Sequence, residues 1–279
     1  MSRSGPDSGG EVFAGPGLLF CPADRPDRFA KAAAAADVVI LDLEDGVAPR
    51  DKAAARKHLN EVRLDPETTV VRVNPAGTAD HELDLAALAG TGYRTVMLAK
   101  SEHAGAVEVL GQNGFQVVVL CETALGVMNC AALAAEPATV ALMWGAEDLL
   151  VSLGGRSADR DGRYRDIARH ARNQVLLAAG AHGRAAIDSV QLDIADLDLL
   201  REEAEDAAAS GFAAKACIHP QQVALVREAF QPSAAELAWA QPCWPRPSTR
   251  PGFSPSRAGW SISRPGPGHP HPACRHPQA

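Results

Sequence analysis

A (β/α)8 barrel is expected from this chain on three grounds. Short apolar runs recur along residues 15–230, polar residues mark their ends, and Ala-rich stretches with helical spacing lie between them. Continuous apolarity without alternation marks strands buried on both faces, as in a parallel sheet. Eight such runs alternating with helices predict a barrel. The rival is an open doubly wound sheet. It is weakened because no Gly-rich phosphate fingerprint follows the first run.

The runs are Leu18-Leu19-Phe20-Cys21, Val38-Val39-Ile40-Leu41, Val70-Val71-Arg72-Val73 and Thr95-Val96-Met97-Leu98. Val117-Val118-Val119-Leu120, Val140-Ala141-Leu142-Met143, Ala186-Ile187 and Ala216-Cys217-Ile218 complete the set. Helices are expected over Phe29 to Ala36, Lys52 to Val62, Asp84 to Leu88 and Tyr164 to Ala179, which are rich in good helix formers.

Barrels of this kind place their chemistry at the C-terminal ends of the strands. The polar residues there are Asp24 and Arg25, Glu44 and Asp45, Arg72 and Asn74, and Lys100. Glu122, then Glu147 and Asp148, Asp188 and His219 follow. Any one alone reads as a helix cap or a solvated loop residue. Their recurrence at the same end of successive strands predicts a single charged mouth.

Glu122 and Asp148 each stand just past an apolar run and are 26 residues apart, about one strand–helix repeat. On neighbouring parallel strands they would project side by side. Mg²⁺ takes oxygen ligands, commonly one or two carboxylates with waters and substrate oxygens, so the pair suits it. The competing reading pairs Glu122 with Arg72 and needs no metal. Zinc is disfavoured, because no His or Cys has ligand spacing with these acids. Arg72 sits inside an apolar strand, and a buried guanidinium needs an anion: Glu44, Glu122 or a substrate carboxylate. A metal beside such an arginine suits an α-keto acid, whose oxygen and carboxylate are adjacent.

Composition narrows the rest. The chain has 279 residues, 46% apolar and 22% charged, enough for a full core of barrel size. Its net charge of −7 argues against a nucleic-acid surface. No apolar stretch approaches the ~20 residues of a membrane span. Residues Met1 to Gly10 lack the apolar region of a secretory signal, and no cysteine pair has metal or redox spacing. Cys21, Cys121 and Cys217 read as buried thiols, and a cytoplasmic protein is expected. Past residue 240 lie ten of the twenty prolines, five of the 27 basic residues and none of the 34 acids. Residues 1–240 therefore carry −12 and the tail +5. Three divisions follow: a flexible N-terminus over 1–15, a barrel over 16–240, and a Pro/Arg/His-rich disordered tail over 241–279.

An ordered set of motifs then appears. Pro22-Ala23-Asp24-Arg25-Pro26, Ala36-Asp37, Leu41-Asp42-Leu43-Glu44-Asp45 and Val71-Arg72-Val73-Asn74 come first. Glu122-Thr123-Ala124, Gly145-Ala146-Glu147-Asp148-Leu149 and Cys217-Ile218-His219-Pro220 follow. Together they resemble the citrate lyase β-subunit-like family, related to malyl-CoA and citramalyl-CoA lyases and more distantly to the HpcH/HpaI aldolases. The resemblance implies a barrel that interconverts a β-hydroxyacyl thioester with an acetyl thioester and a keto acid of the oxaloacetate, pyruvate or glyoxylate type. It implies Mg²⁺ on Glu122 and Asp148, and contact of Arg72 and Glu122 with the keto acid. Backbone N–H groups near Gly145, Ala146 and Glu147 would face a substrate carboxylate. Glu44 and Asp45 would hold Arg72 or metal-bound water, completing the catalytic set with Arg72. Arg25, Arg28, Lys31 and Lys100 become candidates for coenzyme A phosphates. His219 is expected to shape the chain beside Pro220 more than to transfer protons. A homo-oligomer, a trimer, is also implied.

The chain departs from the pattern at three places. Leu98-Ala99-Lys100 stands where relatives read Leu-Pro-Lys, and Ala214 replaces a usual glycine. The tail matters more. Related lyases continue with a lid segment that supplies an aspartate, whereas the last acid here is Glu236. A shifted reading frame or a divergent tail would give this composition. Two alternatives follow: action on a carrier-protein thioester, and a non-catalytic barrel that binds keto acid or coenzyme A without its lid.

Overall fold

The structure is a computed structural model that describes residues 13–232. The tail over 241–279, and the disorder expected of it, lie outside the described residues.

Eight parallel strands close into a barrel in sequence order. They are β1 (Gly17–Pro22), β2 (Val38–Asp42), β3 (Thr69–Val73), β4 (Thr95–Leu98), β5 (Gln116–Cys121), β6 (Thr139–Trp144), β7 (Ala185–Asp188) and β8 (Ala214–Cys217). The surrounding helices are α1 (Phe29–Ala35), α2 (Lys52–Glu61), α3 (Ala79–Leu88), α4 (Ala104–Gln112), α5 (Ala124–Met128), α6 (Cys130–Ala135), α7 (Ala146–Ser152), α8 (Asp166–Ala181), α9 (Leu197–Ser210) and α10 (Pro220–Ala229). All eight expected strands form. The eighth ends before Ile218, and α3 starts at Ala79, earlier than the expected Asp84. The Thr78 hydroxyl sets that start by accepting from His81 N–H, an N-cap that apolar spacing alone does not reveal.

Side chains alternate between two cores. Leu18, Val38, Ile40, Val70, Met97, Val118, Leu120, Ala141, Met143 and Ile187 pack inside the barrel. Leu19, Cys21, Val39, Leu41, Val71, Leu98, Val119, Cys121 and Trp144 belong to the layer between sheet and helices. Both faces are buried, which is why the strands read as unbroken apolar runs. Each buried Val, Leu or Ile contributes about 1.5–3 kcal/mol.

This alternation also aims the polar residues. Two residues beyond Ile40 is Asp42, two beyond Val70 is Arg72, two beyond Leu120 is Glu122, and two beyond Met143 is Gly145. A period of two carries each of them inward at the mouth. Asp188 and Lys215 have the opposite parity and belong to the outer layer, where they are register partners on β7 and β8.

Candidate active site

Arg72 is the centre of the mouth. Asp42, its register partner on β2, accepts from Nε at 2.7 Å and from a terminal nitrogen at 2.6 Å. The other terminal nitrogen lies 3.2 Å from Glu44 Oε2. The guanidinium also stacks on the Phe20 ring, 4.9 Å from its centroid. Burial works against the charge, but Asp42, Glu44 and Glu122 outweigh it and hold Arg72 above its ordinary range. Arg72 is therefore a fixed cation.

Asp42 is itself fixed by two backbone donors, Glu44 N–H and Gly46 N–H, each at 2.9 Å. A Cβ on Gly46 would lie 2.2 Å from Asp42 Oδ2, so only glycine lets the backbone come this close. Behind this pair, the Lys100 ammonium bonds both Glu44 and Asp45.

Glu122 follows β5 and is buried. Its Oε1 accepts the backbone N–H of Lys100 at 2.9 Å. Among the described residues Oε2 accepts no hydrogen bond, and Arg72 acts on Glu122 through charge without a direct bond. The ion pair expected as the metal-free alternative is therefore absent among the described residues; Asp42 occupies Arg72 instead. Burial pushes the Glu122 carboxyl up to about 8, with Arg72 and Lys100 opposing and Asp148 and Glu44 adding to the rise. A Cβ on Gly145 would sit 2.7 Å from Glu122 Cβ and 3.0 Å from Oε2. Glycine here leaves space beside that oxygen.

A cavity of about 830 Å³ opens over these groups. Arg72, Glu122, Gly145, Ala146, Glu147 and Asp148 line it, and Arg25, Arg28 and Lys31 stand on its wall as well. Nine of the sequence-derived site residues thus share one space. Glu44, Asp45 and Lys100 do not line it. For Lys100, expected at coenzyme A phosphates, the ammonium is instead committed to Glu44 and Asp45. Arg25 pairs with Asp27 at 3.2 Å.

The backbone donors expected at the start of α7 are partly spent. Gly145 N–H donates to the Cys121 carbonyl at 3.1 Å, and Ala146 N–H lies 3.4 Å from the Ser189 hydroxyl. The Glu147 carboxylate accepts from the Ser157 hydroxyl. His219 caps α10, accepting from Gln221 N–H, while the Gln222 side chain returns to the His219 backbone. His219 also lines the cavity, beside Pro220.

The two carboxylates fit a hard cation. Glu122 and Asp148 face one cavity, Glu122 Oε2 is unbonded, and no ion pair engages Asp148 among the described residues. No cluster of three or more His, Cys, Asp or Glu forms a metal site among the described residues. Two carboxylates suffice for Mg²⁺, which keeps waters or substrate oxygens in its remaining positions.

Sequence reasoning missed Asp42 as the partner of Arg72, although it stands inside the quoted Leu41-to-Asp45 motif. Counting parity from Ile40 would have found it. It also missed the layer below. Trp144 Nε1 donates to Asp188 at 2.7 Å, and the fully buried Lys215 ammonium reaches Asp188 and Glu203, each at 3.1 Å.

Residues 17–220 match the family described as HpcH/HpaI aldolase/citrate lyase. The chain is 60% identical over 229 residues to a citrate lyase subunit beta-like protein of Mycobacterium tuberculosis, covering 82% of this chain and 83% of that one. It is 30% identical over 252 residues to human mitochondrial citramalyl-CoA lyase, covering 80% and 73%. A crystal structure of M. tuberculosis CitE in complex with magnesium, acetoacetate and coenzyme A superposes with a TM-score of 0.80 at 59% identity, covering 83% of this chain and 86% of that chain. The chain belongs to the HpcH/HpaI aldolase/citrate lyase family. It is a carbon–carbon lyase of the citrate lyase β-like kind.

Proposed function

We propose that this chain is a Mg²⁺-dependent lyase that interconverts a β-hydroxyacyl-CoA of the citramalyl, malyl or citryl type with acetyl-CoA and an α-keto acid. The observation that carries this reading is the meeting of Arg72 with the free edge of Glu122 and with Asp148 in one cavity whose wall also bears Arg25, Arg28 and Lys31. The CitE complex with magnesium, acetoacetate and coenzyme A supports it. Glu122 and Asp148 would hold the ion. When bound, Mg²⁺ supplies Lewis-acid polarisation of a keto or hydroxyl oxygen.

Arg72 offsets the negative charge that develops on the hydroxyl oxygen of the keto-acid portion as its proton leaves, charge that passes to the thioester enolate as the C–C bond breaks. Because Asp42 and Glu44 already fix it, no reorganisation is needed at that moment. Glu44 and Asp45 act through Arg72 and Lys100 without touching the cavity. The cations of Arg25, Arg28 and Lys31 suit the phosphates of coenzyme A. Cleavage gives the keto acid and an acetyl thioester enolate, which is then protonated at carbon.

A carrier-protein thioester is the second reading. The test is a panel of hydroxyacyl-CoA esters with and without Mg²⁺, alongside Glu122→Ala. Metal-dependent cleavage of a free CoA ester, lost in E122A, supports the first reading. Cleavage only of a carrier-bound thioester supports the second. Metal-dependent ligand binding with no product would leave a binding barrel. Assembly as a homo-oligomer, a trimer, is what the family resemblance implies, and mass photometry tests it. No helix of the described residues is long and apolar enough to cross a membrane.

A further inference from the structure

Lys100 follows β4 with a φ of 48° and is the only non-glycine residue of positive φ among the described residues. Side chains with a Cβ seldom adopt this region, and such outliers persist only where their surroundings hold them. Two sets of bonds account for this one. The backbone N–H of Lys100 donates to Glu122 Oε1 at 2.9 Å. Its ammonium bonds Glu44 Oε1 and lies 3.0 Å from Asp45 Oδ2, and the second oxygen of Glu44 lies 3.2 Å from Arg72. One residue therefore ties the end of β5 to the end of β2, and through Glu44 to Arg72 on β3.

We infer that Lys100 is a positioning residue: it caps Oε1 of Glu122 from an αL backbone anchored by its own ammonium, so that Glu122 offers only Oε2 to the cation. This rests on the reading of Glu122 and Asp148 as Mg²⁺ ligands. With Oε1 occupied, the second oxygen is the one beside Gly145, where a Cβ would lie 3.0 Å away. The ammonium sets the amide: without the bonds to Glu44 and Asp45, nothing on the side chain holds the backbone in its unfavourable region. The same commitment keeps Lys100 off the cavity wall, away from any phosphate.

The test uses the full chain in three forms, K100M, K100A and K100R, titrated calorimetrically with Mg²⁺ alone and with coenzyme A alone, with thermal melting as the control for folding. Outer partners of metal ligands typically contribute about 10–100-fold in affinity. K100M and K100A are expected to weaken Mg²⁺ binding by about tenfold or more, with coenzyme A affinity unchanged. K100R keeps a cation against Glu44 and Asp45 and is expected to recover most of the loss. Should the methionine variant fail to fold, the contrast between K100A and K100R carries the test. Unchanged Mg²⁺ affinity in folded K100M or K100A overturns the role, even if the melting temperature falls. Weakened coenzyme A binding with Mg²⁺ unchanged also overturns it, in favour of a phosphate contact. A wild-type chain without Mg²⁺ affinity overturns the metal reading and this one together, whereas the preceding outcomes leave the metal reading standing.

Discussion

Arg72 is held edge-on by Asp42, two bonds of 2.7 and 2.6 Å between register partners of neighbouring strands. The sheet itself brings them opposite one another, and Gly46 and Glu44 amides hold the carboxylate in place. Two parallel N–H···O bonds fix orientation as well as charge.

Asp42→Asn keeps the shape but removes the charge opposing a buried guanidinium. Breaking a buried pair this way costs about 3–5 kcal/mol, reduced here because Glu44 remains. A loss of about 2–3 kcal/mol in urea unfolding is expected, with at least a tenfold fall in kcat/KM. Arg72→Lys should not rescue activity, since an ammonium cannot satisfy both oxygens of Asp42 in the same plane. Wild-type stability in D42N would contradict the pairing.

Gly145→Ala tests the space beside Glu122. The new methyl group would meet Glu122 Cβ at 2.7 Å, closer than real contacts allow, and Oε2 at a tight 3.0 Å. Glu122 must move, so Mg²⁺ affinity and turnover should fall together while secondary structure by circular dichroism stays intact. If calorimetry finds G145A binding Mg²⁺ as tightly as wild type, Oε2 does not face that space.

How far the sequence carried this site depends on the kind of signal. Barrel strands are legible because both faces are apolar, and Glu122, Asp148 and Arg72 are legible because charge in or beside an apolar run is conspicuous. The Asp42–Arg72 pair is not conspicuous, because Asp42 stands among other acids and only strand register selects it. Lys100 shows the opposite limit. Its charge suggested a phosphate, but its backbone conformation and its two acidic neighbours come from distant segments, which one-dimensional spacing does not bring together. Outer-layer groups such as Lys215 are hidden for the same reason: Ala214 and Ala216 flank it in an apolar stretch, and its acidic partners lie 27 and 12 residues earlier.

Stability should depend on pH through Glu122. Its carboxyl is raised to about 8 from an ordinary 4.5, chiefly by burial. The folded chain therefore favours the neutral acid, and this contribution is fully present below 4.5 and lost as pH rises through about 8. Mg²⁺ binds the carboxylate, so its stabilising effect runs the other way and grows across the same window. Melting at pH 5 and pH 8.5, with Mg²⁺ or with EDTA, should show a larger metal-induced rise at the higher pH. Equal rises at both would count against a metal on Glu122.

Lys215→Met addresses the outer layer. The ammonium is fully buried between Asp188 and Glu203 and also donates to the Ser189 carbonyl at 2.8 Å. Burial opposes its charge, but Asp188 and Glu203 outweigh that and keep it protonated. Removing it strands two acids, relieved in part because Arg172 still reaches Asp188 at 2.9 Å. A loss of about 3–5 kcal/mol is expected in denaturant unfolding. A variant as stable as wild type would show that the ionic cluster contributes little.

Trp144 joins these two layers. Its indole is fully buried, donates to Asp188 and stacks edge-on against Tyr164 with centroids 5.1 Å apart. The next residue in the chain is Gly145, against Glu122. The molecule thus carries a built-in fluorophore one peptide bond from its reactive mouth. With Trp239, Trp244 and Trp260 replaced by phenylalanine, the emission of that single indole becomes an optical readout of what enters and leaves, needing neither a coupled assay nor a label.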